Sequence, residues 1–489
     1  MSTHILVIPF HGHGHLFPSI ELCKRLSSSY KITLIVPSSL SSSLPDHHPL
    51  FQISTLTPPS SQPESDPPNN HHHDPRRQDL AQPFTDLLTT LFNGSDPPKC
   101  AIIDVMVHWA HQPCKKFNIP TMSFYTSSAC TASIEFAMGK LSPENLTPGE
   151  PLLLPGLPDH ICVTQTDLTH LTPPHHPNSG PPKPGFGPPF RPGPPISTGP
   201  GNRPAWVSHL EISIALMINA CPDLERPFVE YLSKEIDKPV FSMGPLLPEQ
   251  FSRSDGSVVH DRDLRSKRDQ TNYSEDEINQ WLDSKPRGSV IFVSFGSEVG
   301  PTFDELAELA IALDECNRPF IWVMQSDSSR PGPHGPFSSP SNMEVVSNGF
   351  VERVKGRGLI IRGWAPQLLI LSHRSTGGFV SHGGWNSTLE AILRGVPLLM
   401  WPICRDQHYN AKLIVDHLKV GLMIKVDAHG NQIEQLKKGD ILIGIEKLIA
   451  NEDIRKQAVS LASPFEHGLS SSYMATLDAL NDFLSQIVE

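Results

Sequence analysis

The chain has 489 residues, a length that predicts two or three domains rather than one. It carries 39 basic and 51 acidic side chains, a formal net charge of −12, and so lacks the basic surface that nucleic acids and anionic membranes select. Proline is about twice as frequent as usual, with 50 residues, but the 38% apolar share argues against a chain that is disordered throughout.

Short apolar runs alternate with helical patterns along the chain. In the first half, helices are predicted at 18–26 and around 84–91, and strands at 5–10, 32–36, 101–104, 119–124, 214–219 and 240–243. The rhythm then restarts, with a helix at 303–316 and strands at 290–295, 319–324, 359–362, 378–381 and 397–400. This alternation predicts α/β domains with parallel sheets covered on both faces, and two series predict two doubly wound domains.

Breaks in this rhythm predict the domain boundaries. An N-terminal domain covers residues 1–248, a linker or loop covers 249–275, and a C-terminal domain covers 276–465. The last helix, in 466–489, can belong to either domain, including by packing back on the N-terminal one. Within 173–204, 13 of 32 residues are proline and none is acidic, which predicts a polyproline-like loop.

Cysteine usage and the apolar runs bear on location. The eight cysteines are scattered and form no C-x-x-C pair, which favours reduced thiols over a disulfide framework or a zinc site. The first apolar run is too short for a signal-peptide core, and no run reaches the roughly 18 apolar residues that span a bilayer. We therefore expect a cytoplasmic protein without a membrane span.

The most informative stretch covers residues 364–407. Within it a short strand leads to a glycine-containing turn at 381–388, and the apolar face of a helix follows. A helix that begins at such a turn offers backbone N–H groups and a positive dipole end, which suit a phosphate group. An ordinary strand–turn–helix, with Asn386 or Ser387 as the N-cap and Glu390 completing a capping box, explains the same pattern.

This stretch resembles the signature box of plant family-1 UDP-glycosyltransferases. It contains W-A-P-Q, H-x-G-W-N-S-x-L-E, G-V-P, W-P and a terminal D-Q at that family's spacing. Similar segments lie outside the box, such as SVIFVSFGS at 289–297. The resemblance implies a GT-B fold, in which two Rossmann-like doubly wound domains with parallel sheets face each other across a cleft. It also implies UDP-glucose as the co-substrate, with no metal and no other cofactor.

Carried over residue by residue, the resemblance implies a donor site in the C-terminal domain. Trp364 would stack on uracil, and Gln367 and Glu390 would hold the ribose hydroxyls. The other implied residues are Ser297, His382, Gly384, Asn386 and Ser387 for the diphosphate, Trp385, Asp406 and Gln407 for the sugar, and Ala365 in the same box.

Two positions of the box depart from the family pattern. Gly383 stands where Cys is more common, a small-for-small change that we expect to be harmless. Arg405 stands where a small residue is more common, a change that bears on the local sugar contacts.

The segment at 11–15, His-Gly-His-Gly-His, allows several interpretations. A metal site is disfavoured because no acidic residue adjoins the segment. A dinucleotide-binding loop is disfavoured because Phe17 occupies the place of the third glycine. The resemblance implies instead that His15 is a general base and that Asp104 is its partner carboxylate. His15 would take the proton of an acceptor hydroxyl while the oxygen attacks the anomeric carbon, with inversion and departure of UDP.

The acceptor is the least predictable partner. In the family, small aromatic hydroxyl compounds such as flavonoids are frequent acceptors, which implies a role in plant secondary metabolism. Candidate pocket walls are Phe17, Phe84, Phe124, Tyr125, Phe186 and Phe190, although core packing is the default for each aromatic residue. The proline-rich loop 173–204 is a candidate cover for the pocket mouth.

Other functions fit parts of the same pattern. A UDP-sugar epimerase or hydrolase on the same fold is the first alternative, and an NAD-dependent dehydrogenase fits less well. From another class, the chain could be a non-catalytic UDP-sugar-binding protein, or a scaffold whose proline-rich loop docks in aromatic grooves. We expect a monomer with a UDP-sugar and a small-molecule acceptor as its partners.

Overall fold

The computed structural model describes residues 3–44, 48–58, 80–141, 150–164, 167, 201–252, 258–264, 271–297, 299–324, 349–424, 436–468 and 470–488. The chain divides into two compact units. The first unit contains residues 1–129, 206–247 and 471–489, and the second contains residues 130–205 and 248–470. These limits differ from the predicted boundaries chiefly because residues 130–205 group with the second unit.

The regular elements alternate along the chain, as the apolar pattern predicts. In chain order the strands are β1 (His4–Ile8), β2 (Lys31–Pro37), β3 (Gln52–Leu56), β4 (Cys100–Asp104), β5 (Thr121–Tyr125), β6 (Leu152–Leu153), β7 (Cys162–Val163), β8 (Ala215–Ile218), β9 (Val240–Ser242), β10 (Val290–Ser294), β11 (Phe320–Met324), β12 (Gly358–Arg362), β13 (Thr376–Ser381), β14 (Leu398–Met400) and β15 (Gly421–Met423). The helices are α1 (His13–Leu26), α2 (Ala81–Phe92), α3 (His111–Lys116), α4 (Ala129–Gly139), α5 (Ala205–Ile212), α6 (Pro222–Glu235), α7 (Glu249–Ser252), α8 (Asp261–Leu264), α9 (Glu275–Asp283), α10 (Phe303–Glu315), α11 (Phe350–Arg353), α12 (Gln367–Ser372), α13 (Trp385–Leu393), α14 (Gln407–Lys412), α15 (Lys438–Ala450), α16 (Glu452–Ala462) and α17 (Ser471–Val488).

The first unit is built on a seven-stranded parallel sheet with the order β3-β2-β1-β4-β5-β8-β9. Strands β1, β4 and β5 are buried along their whole length, as expected for a parallel sheet covered on both faces. Because β4 lies between β1 and β5, the carboxyl ends of these three strands meet at one edge of the sheet. Helix α17, from the end of the chain, lies against α6 and β9 in this unit.

The second unit is built on a six-stranded parallel sheet with the order β12-β11-β10-β13-β14-β15. Its core includes Phe320 and Trp322 of β11, Leu309 of α10, and Ile441 and Ile445 of α15. The strand order, which runs outward in both directions from the first strand of the unit, is that of a Rossmann-type doubly wound sheet. The prediction of two doubly wound α/β domains is therefore confirmed.

One helix begins earlier than predicted. The sequence pattern predicts a helix that begins at Pro18. The structure begins α1 at His13, since the N–H groups of His15 and Leu16 both donate to the carbonyl of Gly12, at 3.0 and 2.9 Å. The correction matters for the site, because it places His15 in the first turn of a helix.

The described parts of the predicted linker or loop 249–275 are bound to the second unit. The side chain of Asn272 donates to the Ile360 carbonyl at 2.9 Å and accepts from the Arg362 N–H at 2.8 Å, and so continues the bonding of edge strand β12. The Asp261 carboxylate accepts from the Leu369 N–H in α12 at 3.0 Å. This stretch therefore belongs structurally to the second unit.

Within the ranges given above, no helix combines the length and the apolar character needed to cross a membrane.

Candidate active site

In the first unit, His15 lies beside the carboxyl ends of β4 and β5. Its Nδ1 atom is 2.7 Å from Oδ2 of Asp104 and 2.9 Å from Oγ1 of Thr126. A carboxylate can only accept a hydrogen bond, so the ring donates from Nδ1, and Nε2 is then the basic nitrogen of a neutral imidazole. The structure thus brings together the two residues predicted as base and partner, in a geometry suited to proton transfer at Nε2.

The carboxylate of Asp104 is held rigidly. Its Oδ1 atom accepts a hydrogen bond from the Met106 N–H at 2.9 Å, and its side chain is fully buried. The His15 side chain is 26% exposed, and the ring of Phe10 packs edge-on against it with centroids 5.1 Å apart. A buried, oriented carboxylate behind an imidazole that reaches the surface is also the arrangement of the serine-protease triad, in which the histidine acts as a general base.

Thr126 is a site residue that the sequence analysis missed. It directly follows β5, which neighbours β4 in the sheet, and it is 7% exposed. Its hydroxyl oxygen lies within bonding distance of the same Nδ1 that contacts Asp104. The signal that could have revealed it is its position as the first polar residue after the strand adjoining the one that ends in Asp104.

The other histidines of the 11–15 segment have aromatic neighbours. His13 stacks on Phe17 with ring centroids 5.8 Å apart, and His11 lies 4.0 Å from Phe10 by the same measure. Among the residues that the structure describes, no three His, Cys, Asp or Glu side chains are grouped so as to hold a metal ion.

In the second unit, the predicted strand–turn–helix is present as β13, the turn 382–384 and α13. The N-cap of α13 is Gly384, and no side chain caps this helix. The alternative with Asn386 or Ser387 as the cap is therefore wrong, because the helix begins earlier than that alternative requires. The first backbone bond of the helix runs from the Thr388 N–H to the Gly384 carbonyl, and N–H groups of the turn before such a bond have no acceptor within a helix.

Gln367 links α12 to α13. Its Nε2 atom donates to Oγ of Ser387 at 2.9 Å and to Oε2 of Glu390 at 2.6 Å. Glu390 is 1% exposed, so its carboxylate is a buried acceptor in a fixed position. Trp364, three residues before Gln367, is half-buried, and Ala365 is buried. The two residues predicted to hold ribose hydroxyls are thus in direct contact.

The His382 ring lies between two glycines. A Cβ atom built on Gly296 would lie 2.5 Å from its Nε2, and one on Gly384 would lie 2.4 Å away. A side chain at either position would therefore force the His382 ring to move, and Gly296 also has φ +71, a conformation that favours glycine. Gly296 precedes Ser297 in the turn after β10, so the structure brings the turns that carry Ser297 and His382 together.

Gln407, the first residue of α14, holds the loop that precedes this helix. Oε1 of Gln407 accepts from the N–H groups of Ile403 and Cys404, at 2.9 and 3.1 Å. Between them and Gln407, Arg405 adopts φ +58 with an exposed side chain. Gly383 has φ +86, a conformation that glycine adopts without strain and that Cys would not.

The predicted acceptor-pocket residues differ in how deeply the structure buries them. Phe84 is fully buried in the core of the first unit, against a cluster that includes Leu6 and Ile103, and Phe124 is 1% exposed. Both are therefore corrected to core residues, because a ring without exposed surface cannot line an open pocket. Phe17 is half-buried, and Tyr125 is buried edge-on to Trp206. Phe186, Phe190 and most of the proline-rich loop 173–204 lie outside the described residues.

Comparisons with known proteins identify the family of the chain. The family model described as UDP-glucoronosyl and UDP-glucosyl transferase matches residues 258–467. UDP-glycosyltransferase 73C7 of Arabidopsis thaliana is 30% identical over 95% of this chain and 89% of its own length. Scopoletin glucosyltransferase of Nicotiana tabacum is 30% identical over 73% of this chain and 67% of its own.

A solved structure gives the same result for the fold. A UDP-glucosyltransferase from Polygonum tinctorium, described as capable of glucosylating indoxyl and solved in complex with 3,4-dichloroaniline, superimposes with a TM-score of 0.73. The two sequences are 26% identical, and the match covers 99% of each chain. With a 30% identical relative matched over nearly its full length, the chain belongs to the plant family-1 UDP-glycosyltransferases, enzymes with the GT-B fold.

Proposed function

We propose that the protein transfers glucose from UDP-glucose to a hydroxyl group of a small aromatic acceptor, with inversion at the anomeric carbon. The observation that carries the proposal is the 2.7 Å contact between Nδ1 of His15 and the buried carboxylate of Asp104. A protein that only bound a UDP-sugar would have no use for an imidazole oriented in this way. The names of two relatives support the acceptor class, since scopoletin and indoxyl are both small hydroxylated aromatic compounds.

The proposed reaction is a single displacement. Nε2 of His15 takes the proton of the acceptor hydroxyl as its oxygen bonds to the anomeric carbon. The bond from that carbon to the diphosphate breaks, and its electron pair leaves with UDP. Asp104 accepts the Nδ1–H bond throughout and stabilises the imidazolium that forms. Thr126 is a second acceptor at the same nitrogen, which further restricts rotation of the ring.

The donor half of the proposal uses the second unit. Glu390 and Gln367 are proposed to bind the ribose, because a buried carboxylate is a strong acceptor for its hydroxyl groups. The N-terminus of α13, with His382, Asn386 and Ser387, is proposed to bind the diphosphate and to stabilise the charge that develops on it. The remaining proposed contacts are Trp364 and Ala365 with the uracil end, Ser297 and Gly384 with the diphosphate, and Trp385, Asp406 and Gln407 with the sugar. On this proposal no metal is required.

The discriminating experiment measures UDP release from UDP-glucose with and without a phenolic acceptor, together with the mass of the product. We expect release that depends on the acceptor, and a product heavier than the acceptor by one glucosyl unit. Release without an acceptor would identify a hydrolase instead. The absence of release under either condition would leave only a binding function.

The same assay on His15→Ala tests the assignment of the base. General acid–base groups contribute about 10²- to 10⁴-fold to rate, so we expect kcat to fall by at least about 100-fold. The Kd for UDP should stay within about twofold, because the proposed nucleotide contacts lie in the second unit. Turnover close to that of the wild type would show that another group accepts the proton.

A further inference from the structure

Asn410, in α14, is a fully buried amide that joins three parts of the second unit. Its Nδ2 atom donates to the carbonyl of Gly383 at 3.0 Å and to Oδ2 of Asp406 at 3.1 Å. Its Oδ1 atom accepts from the hydroxyl of Thr131, in α4, at 3.0 Å. The side chain has no exposed surface, so it is positioned to act on these neighbours rather than on a substrate.

The surroundings of Asn410 require an amide. A carbonyl oxygen and a carboxylate oxygen face one end of the side chain, and only the two N–H groups of an amide satisfy both. The Thr131 hydroxyl faces the other end and donates to the amide oxygen. An aspartate here would place an oxygen against the oxygens of Gly383 and Asp406, and an alanine would leave the buried Gly383 carbonyl and the half-buried Asp406 carboxylate with one hydrogen bond fewer each.

Of the two groups held by Asn410, Asp406 belongs to the proposed donor site and Gly383 adjoins it. Asp406 is the N-cap of α14, and Asn410 also donates its backbone N–H to the Asp406 carbonyl at 2.8 Å. A hydrogen bond to one carboxylate oxygen fixes the direction in which the other oxygen points. Gly383, with φ +86, lies in the turn immediately before α13. One side chain therefore sets the direction of the Asp406 carboxylate relative to the turn that is proposed to bind the diphosphate.

We propose that Asn410 is a positioning residue for recognition of the donor's sugar. It orients the Asp406 carboxylate toward hydroxyl groups of the glucosyl moiety without contacting that moiety itself. The inference rests on the proposed function, in which Asp406 is a sugar contact. Because UDP lacks the sugar, loss of orientation should weaken UDP-glucose binding more than UDP binding.

The experiment compares the Kd values of UDP and UDP-glucose, measured by calorimetry without acceptor, for the wild type and Asn410→Asp. Losing a hydrogen bond to a charged group weakens binding by roughly tenfold or more. We expect the ratio of the UDP-glucose Kd to the UDP Kd to rise at least about tenfold, and the KM for UDP-glucose to rise with it. Asn410→Ala has the same expected result without the added charge, and it serves if the aspartate variant does not fold.

Thr131→Val is the matched control. It removes the bond to Oδ1 but leaves both donations from Nδ2, so the Kd ratio should change by less than about twofold. Equal weakening of UDP and UDP-glucose in both Asn410 variants would show a purely structural role and would overturn the proposal.

Asp406→Ala separates failure of the inference from failure of the proposed function. If the alanine variant keeps the wild-type Kd ratio, Asp406 is not a sugar contact, and both the inference and that donor contact of the proposed function are wrong, whereas the acceptor-dependent release of UDP tests the transfer itself. If the Kd ratio rises in Asp406→Ala but stays at the wild-type value in Asn410→Asp, the inference alone is wrong. In the double variant we expect no further change of the ratio beyond Asp406→Ala, because Asn410 acts through Asp406. Additive effects on the ratio would contradict that coupling.

Discussion

At the scale of single residues, His15 and His111 have different surroundings. His15 combines partial exposure with a buried carboxylate partner. His111 is 4% exposed, and its Nδ1 lies 3.2 Å from the Thr121 hydroxyl. Its ring also lies 5.9 Å from that of His209. Burial, with smaller contributions from His209 and His108, lowers the pKa of His111 to about 4. This histidine is therefore neutral in the folded protein at pH 7.

The lowered pKa of His111 predicts a loss of stability in acid. In the unfolded chain a histidine has a pKa of about 6.5, so the unfolded state binds the proton first as the pH falls. Proton binding by the unfolded chain therefore lowers the unfolding free energy. This destabilisation is absent above about pH 6.5 and grows as the pH falls toward 4. His111→Gln cannot titrate at this position. Between pH 7 and pH 5, the unfolding free energy of the wild type should therefore fall by on the order of 1–2 kcal/mol more than that of the variant.

Urea unfolding at the two pH values measures this difference. His467→Gln, at an exposed position, is the control and should change with pH as the wild type does. A difference between His111→Gln and the wild type that does not depend on pH would show that the folded protein protonates His111 readily.

At the scale of elements, α12 depends on a distant segment. It has six residues, too few to be stable alone, and its N-cap, Pro366, provides no side-chain cap. Asp261 accepts from the N–H of Leu369 in its first turn, and the Val259 N–H donates to the hydroxyl of Ser372 at its end. The segment 258–264 therefore holds the helix that carries Gln367.

Asp261→Ala should weaken nucleotide binding through this helix. Loss of a cap costs about 0.5–2 kcal/mol of stability, and the movement of Gln367 should raise the Kd of UDP and of UDP-glucose by the same factor. Calorimetry with both ligands checks this, and equal weakening distinguishes Asp261 from Asn410. Ser274→Ala is the control, because Ser274 caps α9 in an exposed capping box with Glu277. It should lose stability with unchanged Kd values. Binding by Asp261→Ala as tight as that of the wild type would contradict the proposed role of the cap.

At the scale of the whole molecule, the first unit is assembled from three separate stretches of chain. Arg25, in α1, donates to the carbonyls of Pro245 and Leu247, and its guanidinium lies 4.7 Å from the ring centre of Tyr473 in α17. Tyr473 is fully buried. One side chain therefore connects the beginning, the middle and the end of the chain within this unit.

Arg25→Ala should destabilise the first unit. It removes hydrogen bonds from a charged donor and a cation–π contact, each contributing about 1–3 kcal/mol, so the melting temperature should fall by several degrees. The neighbouring Lys24→Ala removes a 2.7 Å ion pair with Glu21, which contributes about 1 kcal/mol or less near a surface. Thermal unfolding followed by circular dichroism compares the two variants. A larger loss in Lys24→Ala than in Arg25→Ala would contradict the proposed connecting role.

Several elements were missed from the sequence for physical reasons. Strand β3 is half exposed along most of its length, so it lacks a clear apolar run. Strands β6 and β7 have two residues each, fewer than the four or more that make a periodic pattern recognisable. Two of the three residues of β15 are half-buried, so this strand is not a clear apolar run. Phe84 had the spacing of a helix face, but spacing alone does not tell a core ring from one that lines a pocket. The longer, fully buried strands were all predicted to within two residues at each end.

The sequence by itself determined the two α/β series, the family and its signature box. Fully buried strands are continuous apolar runs, and the box is a set of residues at fixed short spacing, so both are local patterns. Only the tertiary structure decided that Thr126 contacts His15, that Asp261 caps α12 and that Asn410 joins Thr131 to Asp406. Those partners are separated by 111, 108 and, for Thr131, 279 positions. Their contacts depend on the strand order of the sheets and the path of the chain between them, which no local pattern encodes.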